Sequence, residues 1–422
     1  MSIRDKSVLV VGGGIFGTST AYELIQRGYK NVHVFDRCAP PSIISAGTDL
    51  NKIVRVEYAE HIYTKMASDA MKLWRDPNGF FHGLYNHTGW LLSSSAGSTD
   101  YVEESINVTA NMGLERATPM TAEQVREKWP ALTGNMPHWQ TWYNSTAGWV
   151  DSSQALLRMA RAADNAGVKY VTGTAGHVSQ LLYNENGGCI GVKCQDGNSH
   201  YAELVILAAG AYSPALLNFE GQVQATGHAV GHIQLTPAEA EKYRDMPIIN
   251  NLQAGLLFPP QSNNIMKVAP SHFVTNYSAG GGIVSLPRYR LDHPSDRLPS
   301  PIVKRLREFI RDVVPELADR AWVETNFCWD ADTADYHLLI DSHPEHEGLY
   351  VATGGSSHSF KFFPVLGSYI VDMLEGKLDP KVQSQWKWRP GTTLPPGAPD
   401  PHPTDLIDLQ DIQDFGQTSA RL

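Results

Sequence analysis

Cysteine is scarce in this chain. Cys38, Cys189, Cys194 and Cys328 are the only four in 422 residues, too few for a disulfide scaffold and not in zinc-site spacing. A reducing interior is the expected setting. Basic charge is also short: 34 Lys and Arg stand against 44 Asp and Glu, for a net charge of −10. Nucleic-acid phosphates need clustered cations, so this balance argues against a nucleic-acid surface. No apolar run approaches the roughly 18 residues of a membrane span, and the opening residues carry no signal-type apolar region. Internal repeats and coiled-coil heptads are missing too. What remains, with 42% hydrophobic residues, is a chain able to bury a large core in two domains or more.

The most legible segment is the first. Val8 to Val11 is continuously apolar, as in a parallel sheet covered on both faces. Glycines then take separable tasks. Gly12 permits a tight turn, Gly14 lets the backbone approach a pyrophosphate, and Gly17 lets the next helix pack closely. Ile15 and Phe16 open that helix, whose free N–H groups favour phosphate. It continues from Thr18 to Arg27. Val32 to Phe35 is the second strand, and Asp36 at its end is placed to accept from a ribose hydroxyl and to repel the extra phosphate of NADP.

The middle predicts a helix over Thr121 to Trp129 with Thr121 as N-cap, and an amphipathic helix over Ser152 to Ala166 ending at Gly167. Lys169 to Thr172, His177 to Tyr183, Ile190 to Gln195 and the apolar Leu204 to Ala209 read as strands, with a hairpin turn at Asn184–Gly188. Gly210 marks a close backbone approach. Short strand-like runs fill Glu220 to Ala321, interrupted by one long helix from Pro301 to Val314. The expected class is α/β with an α+β second domain. A dinucleotide-binding domain over 1–85, 145–220 and 321–390 is interrupted twice by a sheet-rich substrate domain, over 86–144 and 221–320. The Pro- and Gly-rich stretch from Pro390 to Pro403 opens an extended tail, 391–422.

Three further stretches complete the pattern: Ser45-Ala-Gly-Thr-Asp-Leu-Asn-Lys-Ile53, Cys328-Trp-Asp-Ala-Asp332, and Gly354-Gly-Ser-Ser-His-Ser-Phe-Lys361. In this order the segments resemble the glutathione-reductase-type flavoproteins of the D-amino-acid oxidase superfamily. The resemblance runs from Lys6 to about Pro390. It is nearest the branch that holds monomeric sarcosine oxidase, fungal pipecolate and saccharopine oxidases, and the fructosyl-amino-acid oxidases, or amadoriases. It implies a Rossmann-like FAD domain and a cofactor-binding set of Gly12, Gly14, Ile15, Phe16, Gly17, Asp36, Arg37, Ser45, Lys52, Val178, Ala209, Gly210, Cys328, Gly355, Ser357, His358, Phe360 and Lys361.

Within that resemblance Cys328 matches the thiol that joins the 8α-methyl of FAD, which calls for a thiolate at the flavin's electron-poor edge. Lys267 matches a lysine near flavin N5, where a fixed cation stabilises the charge oxygen acquires with its first electron. Lys52 matches a basic residue beside the flavin. Lys361 and Arg55 match a substrate-carboxylate clamp, and Arg389 matches a carboxylate-binding arginine of the amadoriases. Tyr58, Tyr63, Trp90 and Trp329 are candidates for the pocket wall. His343, His346 and His358 suit turn or flavin-lining roles better than metal ligation, so no metal is expected. Ser271 departs from the pattern, standing where amadoriases carry a sugar-binding glutamate.

The resemblance therefore implies an FAD-dependent oxidase of a secondary amine, an N-substituted amino acid, giving an imine and hydrogen peroxide. A deglycating amadoriase, a saccharopine- or pipecolate-type oxidase, and a flavin dehydrogenase with another electron acceptor are the alternatives. A small amine and O₂ are the expected partners of a monomer, with no nucleic acid and no membrane. The ending Ala420-Arg421-Leu422 is a conservative variant of the Ser-Lys-Leu address, read by the peroxisomal import receptor; the expected location is the peroxisome, otherwise the cytoplasm.

Overall fold

The computed structural model describes residues 2–95, 99–392, 406–412 and 415. Strands that are apolar on both faces assemble where helices can cover both sides. They form a six-stranded sheet in the order Leu339–Ser342, Leu349–Thr353, Leu204–Leu207, Ser7–Val11, Asn31–Phe35, Lys169–Val171. Every pairing is parallel except that of the edge strand Leu339–Ser342. Val11 faces Leu207 on one side and Phe35 on the other. Three strands thus end at one edge, where open α/β sheets form their ligand crevice.

Close backbone approach sets that edge. Gly12 has φ of +105°, and a Cβ there would stand 2.4 Å from the Ala208 carbonyl oxygen. Helix Ile15–Gln26 leaves directly after it. A Cβ at Gly17 would meet the Gly12 carbonyl at 1.8 Å, so the helix packs against the turn only because Gly17 lacks a side chain. Helix Ser152–Asn165 lies beside it, and its N-cap is Asp151, whose side chain accepts from Gln154 N–H.

The second sheet is larger. Its order is Ile407–Asp408, Phe273–Thr275, Val223–Gln234, Ile265–Pro270, Gly255–Leu257, Ile248–Asn251, Trp90–Ser94, Gln140–Asn144, Thr118–Met120. Helix Ser300–Val313 covers it through Ile302, Leu306, Phe309, Ile310 and Val313, the stripe expected of an amphipathic helix. Among the described residues no helix is long and apolar enough to cross a membrane.

Two expected boundaries are corrected. Strand Trp322–Thr333, assigned from sequence to the dinucleotide domain (321–390), pairs instead with Val223–Gln234 along nearly its whole length. Cys328 therefore reaches the site from the large sheet. The strand's first half is exposed or half-buried, so its pattern names no partner. The segment 391–422 is not a free tail throughout. Ile407–Asp408 adds a parallel edge strand beside Phe273–Thr275, the Asp408 carboxylate accepts from the Thr275 hydroxyl and Tyr277 N–H at 2.9 Å each, and Leu409 is buried. Residues 393–405 and Ala420–Leu422 lie outside the described residues.

Candidate active site

The carboxyl ends of the parallel strands open into a cavity of about 710 Å³, within the range of cofactor sites. Its wall brings together Gly12, Gly14, Ile15, Phe16, Asp36, Arg37, Ser45, Lys52, Val178, Ala209, Gly210, Gly355, Ser357 and Phe360. Gly17 sits behind this wall, in the helix packing described above. The carboxylate of Asp36 accepts from Gly13 N–H (2.8 Å), Cys38 N–H (2.8 Å) and the Ser42 hydroxyl (2.9 Å). Burial raises its pKa while these donors oppose the rise. Arg37 pairs with Asp292 at 2.7 Å, and both line the cavity. A Cβ at Gly14 would stand 2.8 Å from Ser45 Oγ, intruding on the cradle at the helix N-terminus. Size, bare glycine cradle and helix N-terminus together fit a bound dinucleotide.

A second cavity of about 210 Å³ adjoins the first, and Ala46, Lys52, Asp330, Ser357 and Phe360 line both. Lys267, Cys328, Arg55, Lys361 and Ser271 also face it, among Val230, Leu252, Leu256, Phe258 and Phe273. Lys267 is buried and donates to Asp49 Oδ2 and the Asn51 carbonyl, both at 2.6 Å. Burial pushes its pKa down to about 8 despite the pull of Asp49. Lys52 lies 3.1 Å from the same Asp49 oxygen and 3.8 Å from Cys328 Sγ. Burial opposes the charge on Lys52, but Cys328 and Asp49 hold its pKa above the ordinary value. Burial would raise the pKa of Asp49, yet Lys267 and Lys52 draw it well below the usual carboxylate range. The Cys328 thiol is pushed up by burial, with Lys52 pulling the other way.

The ammonium of Lys361 donates to the Tyr58 hydroxyl and the His358 carbonyl, each at 2.7 Å, and the residue is buried. Arg55 donates to the Glu57 carbonyl and stacks between the rings of Tyr58 (4.6 Å) and Trp90 (5.0 Å). Such contacts hold a guanidinium in a fixed plane. Ser271 Oγ donates to the Asn251 carbonyl at 3.1 Å. At the junction of the cavities Ser356 and Ser357 both have positive φ, 44° and 62°, a strained backbone of the kind that persists at functional sites. Asp330 stabilises it by accepting from Ser357 N–H at 2.8 Å.

Two expected site residues lie elsewhere. Arg389 lines neither cavity: its guanidinium makes a two-pronged pair with Asp335 at 2.7 Å per contact and also reaches the His337 carbonyl. Asp335, in the turn after strand Trp322–Thr333, offers a fixed carboxylate that matches the arginine fork. His358 is fully buried and lines neither cavity. Nε2 lies 2.8 Å from the Tyr336 carbonyl and Nδ1 3.2 Å from the Tyr58 hydroxyl. It contributes its carbonyl to Lys361 instead. Of the aromatics, Trp329 lines the larger cavity, Tyr58 backs Lys361 and Arg55, and Tyr63 and Trp90 are core. The rings of His343 and His346 stack on each other at 4.5 Å. Asp49, Glu57, Asp330 and His228, given no role of their own in the sequence reading, line the smaller cavity or support residues that do. The one signal for Asp49 was an acid inside an otherwise uncharged Ser45–Asn51 loop.

Residues 7–373 match the family model of the FAD dependent oxidoreductases, DAO, and the chain belongs to that family. It is similar to L-saccharopine oxidase of Schizosaccharomyces pombe, 34% identical over 411 residues that cover 91% of this chain and 93% of that protein. Among solved structures it resembles the deglycating fructosamine oxidase of Aspergillus fumigatus, Amadoriase II, in complex with FSA. There the TM-score is 0.89 at 32% identity, covering 100% of this chain and 99% of that one. Fructosyl peptide oxidase from E. terrenum is similar at a TM-score of 0.90 and 29% identity, over 99% of both chains.

Proposed function

We propose that this FAD-dependent amine oxidase acts on an N-substituted amino acid held by its carboxylate. The observation that carries the reading is the small, largely apolar cavity that meets the cofactor cavity and presents Lys361, Arg55 and Lys267 together. Lys361 and Arg55 bind the carboxylate, which orients the substrate's Cα and nitrogen toward the junction. Phe258, Phe273, Leu252 and Leu256 exclude water and receive the N-substituent. Bound FAD supplies the hydride acceptor and the route of electrons to oxygen. Lys267 provides the fixed positive charge where oxygen is reduced. Ser271 is too short and too weakly polar to bind a polyol as a carboxylate does, which favours smaller or aromatic N-alkyl groups over a fructosyl group. The reading is tested by peroxide release from sarcosine, N-methyl aromatic amino acids, pipecolate, saccharopine and fructosyl-valine. Fructosyl-valine is expected to be among the weaker substrates; if it proves the best, the Ser271 argument fails.

Cys328 is the proposed attachment point for the flavin 8α-methyl, supported by Lys52 at 3.8 Å, a cation suited to stabilising the thiolate. Acid-denatured protein should then stay yellow, and Cys328→Ala should release its flavin to the supernatant. A colourless wild-type pellet rules the linkage out. A monomeric state and peroxisomal import through Ala420-Arg421-Leu422 complete the proposal. Import confines the peroxide to a compartment equipped to receive it.

A further inference from the structure

We propose that Asp49 is a positioning residue that holds two neighbouring cations to separate tasks, Lys267 toward oxygen and Lys52 toward Cys328. The proposal rests on the role assigned to Lys267 above. Its basis is a single atom. Oδ2 of Asp49 accepts from Lys267 Nζ at 2.6 Å and pairs with Lys52 Nζ at 3.1 Å, so the two ammonium groups stand no farther apart than those distances laid end to end. Like charges so close in a water-poor site repel strongly unless an anion lies between them. Asp49 is itself held by the fold: its carbonyl accepts from the Ser152 and Ser153 hydroxyls, both at 2.7 Å, at the start of helix Ser152–Asn165. The helix next to the dinucleotide turn thus fixes the carboxylate that fixes both lysines.

Other charged or titratable groups share the cavity: Arg55, Lys361, His228 and Asp330 also line it. Cys328 and Asp330 act on Lys52, Lys52 and Cys328 act on Lys267, and His232, 3.3 Å from Glu324, acts on Asp49 and Lys267. Among the described residues Asp49 is the carboxylate paired with Lys267. Burial already brings Lys267 to about 8 with that anion in place. An opposite charge at this range is worth about one to three pK units, so losing it would discharge Lys267 at neutral pH. Lys52 keeps the Asp330 carboxylate as a neighbour.

The test compares Asp49→Asn, Asp49→Glu, Lys267→Met and the double variant as holoenzymes between pH 6 and 9.5. Two quantities are read: the rate of reoxidation by oxygen, and the pH midpoint of the visible absorption band of the resting oxidised protein, which needs no turnover. Asp49→Asn is expected to move both midpoints down by about one unit or more. Reoxidation at pH 8 should fall about tenfold and recover toward pH 6. Asp49→Glu, which keeps the charge but displaces it, should give a smaller shift, and it carries the test if Asp49→Asn does not fold. The double variant should be no slower than Lys267→Met, because Asp49 acts through that lysine. Unmoved midpoints in the Asp49 variants, with reoxidation slow in Lys267→Met, overturn the proposal and leave the role of Lys267 intact. If Lys267→Met reoxidises normally, that role fails. The absorption midpoint then decides alone: a downward shift supports Asp49 as the holder of the lysine, and no shift overturns it.

Discussion

Lys267→Met is expected to slow reoxidation of the reduced enzyme by about 10²-fold or more, the usual loss when one preorganised electrostatic stabiliser is removed. Anaerobic reduction by substrate should change far less. The reason lies in the site's dryness. Lys267 is buried, tied to Asp49 and the Asn51 carbonyl, with its ammonium 4.6 Å from the Phe258 ring, so solvent screens its charge poorly. The charge exists only while the group is protonated. Its pKa is pushed down to about 8, so wild-type reoxidation should be fast below that pH and decline as pH rises through it. Lys267→Met should show a slow rate without that decline. Stopped-flow measurement of the two half-reactions separates the outcomes. Equal losses in both would mark Lys267 as a substrate-positioning or structural residue.

Lys361→Ala is expected to raise the KM or Kd for carboxylate substrates by about 10²-fold. Removing one partner of a buried charge pair costs about 2–5 kcal/mol, and each 1.4 kcal/mol is about a factor of ten. Lys361 is buried and aimed by the Tyr58 hydroxyl and the His358 carbonyl, so little ordering remains to be done when substrate arrives. Arg55 alone would then hold the carboxylate. Decarboxylated amines, which never used the clamp, should be poor for wild type and variant alike. Steady-state kinetics over a matched amino acid and amine pair decides the matter. A fall in kcat with KM unchanged would place Lys361 in the chemistry rather than in binding.

Much of the dinucleotide half was legible in the amino-acid order because its rules are local. Gly12, Gly14 and Gly17 each answer a backbone demand set within the turn itself, and Asp36 follows from the length of one strand–helix–strand unit. Helices such as Ser152–Asn165 and Ser300–Val313 announce themselves by cap and stripe, and the structure has them within a residue or two of the expected ends. Even the wrong placements were errors of partner rather than of element. Trp322–Thr333 is a strand, but nothing in its half-exposed pattern says that it runs beside Val223–Gln234. Arg389 is a half-buried cation, but sequence does not reveal that Asp335 stands two-pronged against it.

The charge arrangement of the site belongs to the tertiary structure alone. Lys267 meets Asp49 across 218 positions and Lys52 meets Cys328 across 276, and no local propensity encodes such pairings. They arise because two sheets and a loop bring four ionisable groups together out of water, and burial makes each group's charge depend on its neighbours. By itself the sequence determined which backbone elements form and that a dinucleotide is cradled at one sheet edge. The packing of the second sheet against that edge decided which cations line the smaller cavity, which carboxylate pairs with two of them, and which arginine pairs with Asp335 instead. Backbone turns obey short-range sterics, whereas electrostatics in a dry cavity depends on distances that exist only once the chain has folded.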